Sequence, residues 1–183
     1  MLIGVISDTH DNLTSIDKAF EIFLKHEVSL VVHCGDWTVP ATVEYLGQKA
    51  FEANISVKAV LGNVDQNQVG NAQAILKVSS QLPEAVEFPT SEDYLSFGVD
   101  NHQFAIYHGQ DLSILEGLID SGEFKAIFTG HTHIPKRQEF QNTIVLNPGA
   151  ACFIQAGQIV DTATVALFDT QTATSQIIEF KAF

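Results

Sequence analysis

The stretch Leu2-Ile3-Gly4-Val5-Ile6-Ser7-Asp8-Thr9-His10 decides the fold. An apolar run with no helical gap reads as a buried strand, and its abrupt change to small polar residues reads as a loop. The same grammar recurs downstream. Leu30-Val31-Val32-His33-Cys34 runs into Gly35-Asp36, Val57 to Leu61 into Gly62-Asn63, and Phe104 to Tyr107 into His108-Gly109. Ala126 to Thr129 runs into Gly130-His131-Thr132-His133, and Thr143 to Leu146 into Asn147-Pro148-Gly149. Between the first three runs lie two helical segments. One repeats Ile16, Ala19, Phe20, Phe23 and Leu24, with Asp11 or Asn12 as its cap, and the other spans Ala41 to Ala53. Strand, helix, strand, helix, strand predicts a parallel sheet with right-handed crossovers.

The second half is richer in strands. Tyr94 to Phe97 and Phe104 to Tyr107 flank Gly98-Val99-Asp100-Asn101, a hairpin turn, and Thr164 to Phe168 and Gln176 to Phe180 flank a second turn at Asp169-Thr170-Gln171-Thr172. Leu112, Leu115, Leu118 and Ile119 suit one more helix, ended by Gly122, whereas Gln66 to Ser80 is polar and predicts helix only in part. With no internal repeat or linker, the expectation is a single α/β domain over residues 1–183.

Composition narrows the function. The chain carries 9 Lys+Arg against 22 Asp+Glu, a net charge of −13, and Arg137 is its one arginine. A duplex nucleic-acid binder needs a basic stripe, and an anionic membrane surface attracts only basic ones, so both classes are excluded. Two cysteines are too few for a disulfide scaffold, and Cys34 reads as a small buried hydrophobe. No run reaches the roughly 18 apolar residues of a membrane span. The N-terminus enters its first strand without a basic leader or cleavage site, and the expected location is cytoplasmic.

In an open α/β sheet, ligands bind beyond the carboxyl ends of the strands. Asp8, His10, Asp36, Asn63, His108, His131 and His133 are therefore expected to meet in space, bringing two carboxylates, one amide and four imidazoles, with no thiolate. Such donors suit Mn, Fe, Co, Ni or Zn and not a cysteine-rich structural zinc site. Alone, a D-x-H is mostly a loop and a Gly-Asp mostly a turn. Five ligand-bearing clusters, each at a strand end, carry the joint reading. His26 and His102 read as solvated surface histidines.

In this order the motifs D-x-H, G-D, G-N-x-D, H-G and G-H-T-H resemble the signature of the calcineurin-like metallophosphoesterases. Asn147-Pro148-Gly149 is similar to an element of their small single-domain bacterial and archaeal phosphodiesterases. The resemblance implies a four-layer α/β/β/α sandwich of two mixed β-sheets flanked by helices. It implies a metal-dependent phosphodiesterase that hydrolyses small phosphodiesters with water activated by a dinuclear centre. The cofactors would be two divalent ions, Mn2+ first, with Fe, Ni, Co or Zn as alternatives. Asp8, His10 and His133 would hold one ion, Asn63, His108 and His131 the other, and Asp36 would bridge them. Asp36, Asn63 and Asp65 are the catalytic candidates. The small-substrate partner leaves a homo-oligomer open.

Three departures from the family pattern matter. Many members carry a proton-donating histidine where this chain has Val64, so leaving-group protonation would fall to water or Asp65. Relatives often read Asn-Pro-Gly-Ser with an arginine soon after, whereas here Ala150 follows and no arginine lies beyond Arg137. His33 is either a satisfied core histidine or an orienting partner for a ligand, and Lys136 and Arg137 are either a rim contact to substrate or a solvated strand start. The competing function is a non-catalytic interaction scaffold of the same fold, similar to the retromer coat subunit; its ligands would be relaxed, and all seven are intact here. A metallo-β-lactamase reading of the His-Thr-His fails, because Ile134-Pro135 follows where Asp-His is required.

Overall fold

Alternation along strand β1 (Leu2–Ile6) sets the layers: Ile3 and Val5 enter one core and Ile6 another. The structure is a computed structural model that describes residues 1–82, 86–90, 93–155 and 158–181. After β1 come α1 (Leu13–Lys25), β2 (Leu30–His33), α2 (Pro40–Ala53), β3 (Ser56–Ala59), α3 (Asn63–Asn67) and α4 (Asn71–Ser79). Then follow β4 (Tyr94–Val99), β5 (His102–Tyr107), α5 (Leu112–Ser121), β6 (Ala126–Phe128), β7 (Lys136–Phe140) and β8 (Thr143–Asn147). A short β9 (Ile154–Gln155) and β10 (Gln158–Ile159) precede β11 (Thr162–Asp169) and β12 (Ser175–Lys181).

Two five-stranded mixed sheets result. The first has the order β12-β11-β1-β2-β3, with β1, β2 and β3 parallel and β11 antiparallel to β1. The second has the order β4-β5-β6-β8-β7, with β5, β6 and β8 parallel and both edge strands antiparallel. Ile3, Val5 and Val32 of the first sheet pack against Phe104, Ile106, Phe128 and Leu146 of the second. The outer face of the first sheet is covered by Ile16, Phe20 and Phe23 of α1 and by Val43 and Leu46 of α2. Leu118 of α5 covers Ala105, Tyr107, Ile127 and Val145 on the outer face of the second. The expected four-layer sandwich of two sheets flanked by helices is therefore observed. Gly4 makes one contact between layers feasible, since a Cβ there would sit 2.8 Å from the Phe23 ring.

Local chemistry places the ends of the elements. Asn12 caps α1, its side chain accepting from the Ser15 N–H at 3.0 Å, and Pro40 opens α2 where its missing N–H costs nothing. The β4–β5 turn narrows to Asp100-Asn101, both at positive φ (51° and 62°), the two-residue form whose twist suits a hairpin. The second turn runs from Thr170 to Thr174, with Ala173 at φ 56°, because both flanking strands reach one residue further toward it than the sequence predicts. Two elements depart further. All five residues of β7 are exposed, and it pairs as an edge strand with β8, where the sequence predicts at most a strand start at Lys136. The partly helical stretch is two helices, and α4 buries only Ile75 and Ser79, too thin a stripe for a clear period. Among the described residues no helix is long and apolar enough to cross a membrane.

Candidate metal centre

Each predicted ligand lies just past the carboxyl end of a parallel strand: Asp8 and His10 after β1, Asp36 after β2, Asn63 after β3, His108 after β5, and His131 and His133 after β6. The structure brings all seven together in two adjoining groups. In the first, Asp8, His10, Asp36 and His133 each offer a ligand atom, all within 4.8 Å of one another. The His10 and His133 Nε2 atoms are 3.1 Å apart, and His133 Nε2 is 3.3 Å from Asp8 Oδ1. In the second, Asn63 Oδ1 lies 3.0 Å from His108 Nε2 and 2.8 Å from His131 Nδ1. Asp36 stands between them, with Oδ2 3.8 Å from His10 Nε2 and Oδ1 3.5 Å from His108 Nε2.

Neighbouring groups aim these donors. The Cys34 carbonyl accepts from His108 Nδ1 at 2.7 Å, which leaves the Nε2 lone pair facing Asn63 and Asp36. Thr38 Oγ1 lies 3.4 Å from His10 Nδ1, on the side of the ring away from His133, and so orients the ring with Nε2 toward the cluster. Ser7 Oγ donates to Asp8 Oδ2 at 2.6 Å, and the His131 N–H reaches the same carboxylate at 3.1 Å. Asn147 steadies the His131–His133 loop, donating through Nδ2 to the Gly130 carbonyl at 2.6 Å and Thr132 Oγ1 at 3.1 Å. His33 satisfies both of its open readings. Its ring is buried and stacked 3.5 Å from Trp37, its Nδ1 accepts the Gly35 N–H, and its Nε2 meets Thr9 Oγ1 inside the Asp8–His10 turn.

The backbone is unusual at these positions. Asp8 (φ 52°), His10 (43°), Asp36 (60°), His131 (69°) and His133 (59°) all occupy the left-handed region, as does Thr38 (76°). Asp and His tolerate that region better than most residues, but for β-branched Thr38 it is an outlier. Such turns hold because the packed strands beneath leave no alternative.

Burial and charge divide the imidazoles. Burial holds His10 and His131 below their ordinary value, and places buried His33 well below it. The hydrogen bond that His133 donates to Asp8 raises His133. Burial lowers His108 as well, but the hydrogen bond and charge of Asp36 outweigh it and leave it raised. Reciprocally, burial raises the Asp36 carboxyl, and its partner His108 more than reverses that, leaving it lowered. Two carboxylates and several inward-facing lone pairs fit divalent cations, since His10 Nε2 and His133 Nε2 at 3.1 Å need a proton or a cation between them.

Two expectations change. Asp65 is fully buried beneath the site: Oδ2 accepts from the backbone N–H of Gly62 at 2.8 Å, Asp36 at 3.0 Å and Trp37 at 3.2 Å, and Oδ1 from Thr38 at 2.8 Å. A carboxylate that receives four N–H groups and meets no solvent is not placed to hand a proton to a leaving group. It ties the Asp36 loop to the start of α3, where Asn63 sits. Burial raises its pKa and those N–H groups oppose the rise. The second change is a thiol: Cys152, buried past Asn147-Pro148-Gly149, lies with His10 and His133 in a further group whose ligand atoms are all within 4.8 Å. The sequence offered one signal for it, a cysteine five residues beyond Asn147.

Comparison with known proteins places the family and the fold. Residues 1–173 match the model of the calcineurin-like phosphoesterase superfamily domain. The chain belongs to that superfamily. This phosphoesterase is 35% identical over 172 residues to a phosphodiesterase of Methanocaldococcus jannaschii, covering 93% of this chain and 94% of that one. A solved archaeal phosphodiesterase superposes with a TM-score of 0.82 at 32% identity, covering 98% of this chain and 100% of that one. Vacuolar protein sorting 29 from Cryptosporidium parvum shares the fold, with a TM-score of 0.59 at 18% identity over 98% and 97% of the two chains.

Proposed function

We propose that this phosphoesterase is a phosphodiesterase acting on small phosphodiesters at a dinuclear centre, formed within one domain that spans the chain. Asp8, His10 and His133 would hold one divalent ion, Asn63, His108 and His131 the second, and Asp36 both. The observation that carries this is the position of Asp36, one carboxylate oxygen turned to each group. When bound, two divalent ions supply an activated water and neutralise charge on the phosphoryl oxygens. The protein's part is to fix the donors and admit the substrate. His131 lies exposed at the rim, while Asp8 and His108 form the closed floor. Val64 has no proton to give and Asp65 faces inward, so protonation of the leaving group falls to water, which favours leaving groups that need little assistance.

Charge selects for size. The surface is strongly acidic and carries one arginine, so a polyanion is repelled while a single phosphodiester that reaches the cations is not. A scaffold needs no convergence of inward-facing lone pairs, and it is the weaker reading for that reason. Mn2+ heads the candidate ions, with Fe, Co, Ni or Zn behind it, and two cysteines with no disulfide among the described residues suit a reducing cytoplasm. The test is hydrolysis of an activated aryl phosphodiester with added Mn2+. Activity should vanish in chelator, and Asp36→Asn should lower turnover by at least ~100-fold, because it weakens the hold on both ions at once. Chelator-resistant turnover, or near-normal rates in Asp36→Asn, would refute the reading.

A further inference from the structure

We propose that Cys152 is a thiolate donor to the ion held by Asp8, His10 and His133, and that it biases this one position toward zinc, iron(II) or cobalt, leaving manganese as first candidate only for the position held by Asn63, His108 and His131. The proposal rests on the dinuclear reading above. Its basis is convergence: the Cys152 sulfur and one ring nitrogen from each of His10 and His133 lie within 4.8 Å of one another, although they come from three separate loops. A tetrahedral ion bound to both a thiolate and an imidazole holds the two donor atoms about 3.6 Å apart, so donors within 4.8 Å close on it with a shift of about 1 Å, and the same two imidazoles carry the ion over to Asp8 in the adjoining group.

The thiol is positioned by its backbone. The Ala151 N–H donates to the Ser7 carbonyl at 2.8 Å, tying this segment to the residue before Asp8, and the Thr164 N–H donates to the Ala150 carbonyl at 3.0 Å. Cys152 is 2% exposed, so it meets the site from the protein side and leaves the solvent face open to substrate. On ligation the S–H bond breaks, a sulfur–metal bond forms and the proton passes to solvent. Sulfur is a soft donor among hard and borderline ones, which is the source of the metal bias.

Cobalt(II) loading tests this in the full chain, because ligand-field bands report occupancy and a sulfur-to-cobalt charge-transfer band in the near ultraviolet reports a thiolate bond. The expected result is both bands in the native protein, with Cys152→Ser and Cys152→Ala losing charge transfer while keeping the ligand-field bands. The chain's other cysteine, Cys34, is fully buried between the sheets, and Cys34→Ala should keep both. In competition, Cys152→Ser should lose zinc preference over manganese by roughly 10-fold or more, since even outer partners of a ligand are worth that much. Ligand-field bands without charge transfer in the native protein, or charge transfer that survives in Cys152→Ser, would overturn the proposal alone. Absence of ligand-field bands would overturn the dinuclear reading and this proposal with it.

Discussion

Replacing Asp65 by asparagine keeps the side chain's shape and removes one acceptor and one negative charge. In the better orientation the remaining oxygen keeps Gly62, Asp36 and Trp37, and the new NH2 faces the Thr38 N–H, which is now 2.8 Å from a donor. An unsatisfied buried donor costs about 1–3 kcal/mol. Three hydrogen bonds to a charged acceptor become neutral ones and weaken by about 1 kcal/mol each. Relief from burying the charge offsets part of this sum, so the net loss is about 2–4 kcal/mol. For a chain of this length that lowers the melting temperature by about 5–15 °C while the protein stays folded. Because the same contacts hold the Asp36 and Asn63 loops in register, metal affinity should fall by about 10–100-fold. Urea unfolding of the metal-free protein measures the first effect and metal titration the second. Rates on aryl diesters with good and poor leaving groups should fall together. A stability change under about 0.5 kcal/mol with unaltered metal affinity would refute the reasoning. A loss confined to poor leaving groups would return Asp65 to proton donation.

Gly130→Ala places a Cβ onto Ser7 Oγ and 2.7 Å from Asp8 Oδ2, so it should displace the Asp8 carboxylate at a cost of about 1–3 kcal/mol. Circular dichroism should remain native while metal titration shows weakened binding, and unimpaired binding would contradict the packing argument. Metal binding should also release protons in a defined range. Asp8 and Asp36 hold His133 and His108 above the ordinary imidazole value of about 6.5, so just above that pH both still carry protons that an ion must displace. Affinity should therefore rise with pH through that window and then level off. Calorimetry in buffers of different ionisation enthalpy measures the released protons, and a buffer-independent enthalpy would count against the assignment.

The parallel strands and the meeting of the expected donors were legible because β1, β2, β5, β6 and β8 each carry an apolar stretch that runs into a polar cluster, and β3, although Lys58 interrupts it, leads through Val60-Leu61 into Gly62-Asn63 in the same way. Strand β7 was not, since Lys-Arg-Gln-Glu-Phe at a solvated edge has no buried face to impose alternation. For Asp65 the spacing in Gly-Asn-Val-Asp was visible, but three of its four partners are backbone N–H groups 27 to 29 residues away, and main-chain donors leave no mark on side-chain patterns. Cys152 escaped for a related reason. Its approach to His10 and His133 depends on how the chain beyond Pro148 is laid against Ser7, a tertiary contact with no sequence period.

The left-handed turns have a consequence for how the site should be dissected. Asp8, His10, Asp36, His131 and His133 are both the proposed metal donors and residues at which the chain turns through the left-handed region. Asparagine, aspartate and histidine accept that conformation more readily than alanine does. An alanine scan would thus score each position twice, once for a missing donor and once for a relaxed bend that lets neighbouring donors drift. Exchanging Asp8 or Asp36 for asparagine keeps the bend and removes only the charge. The difference between the asparagine and alanine variants at one position then measures how much metal affinity is stored in the shape of the empty loops.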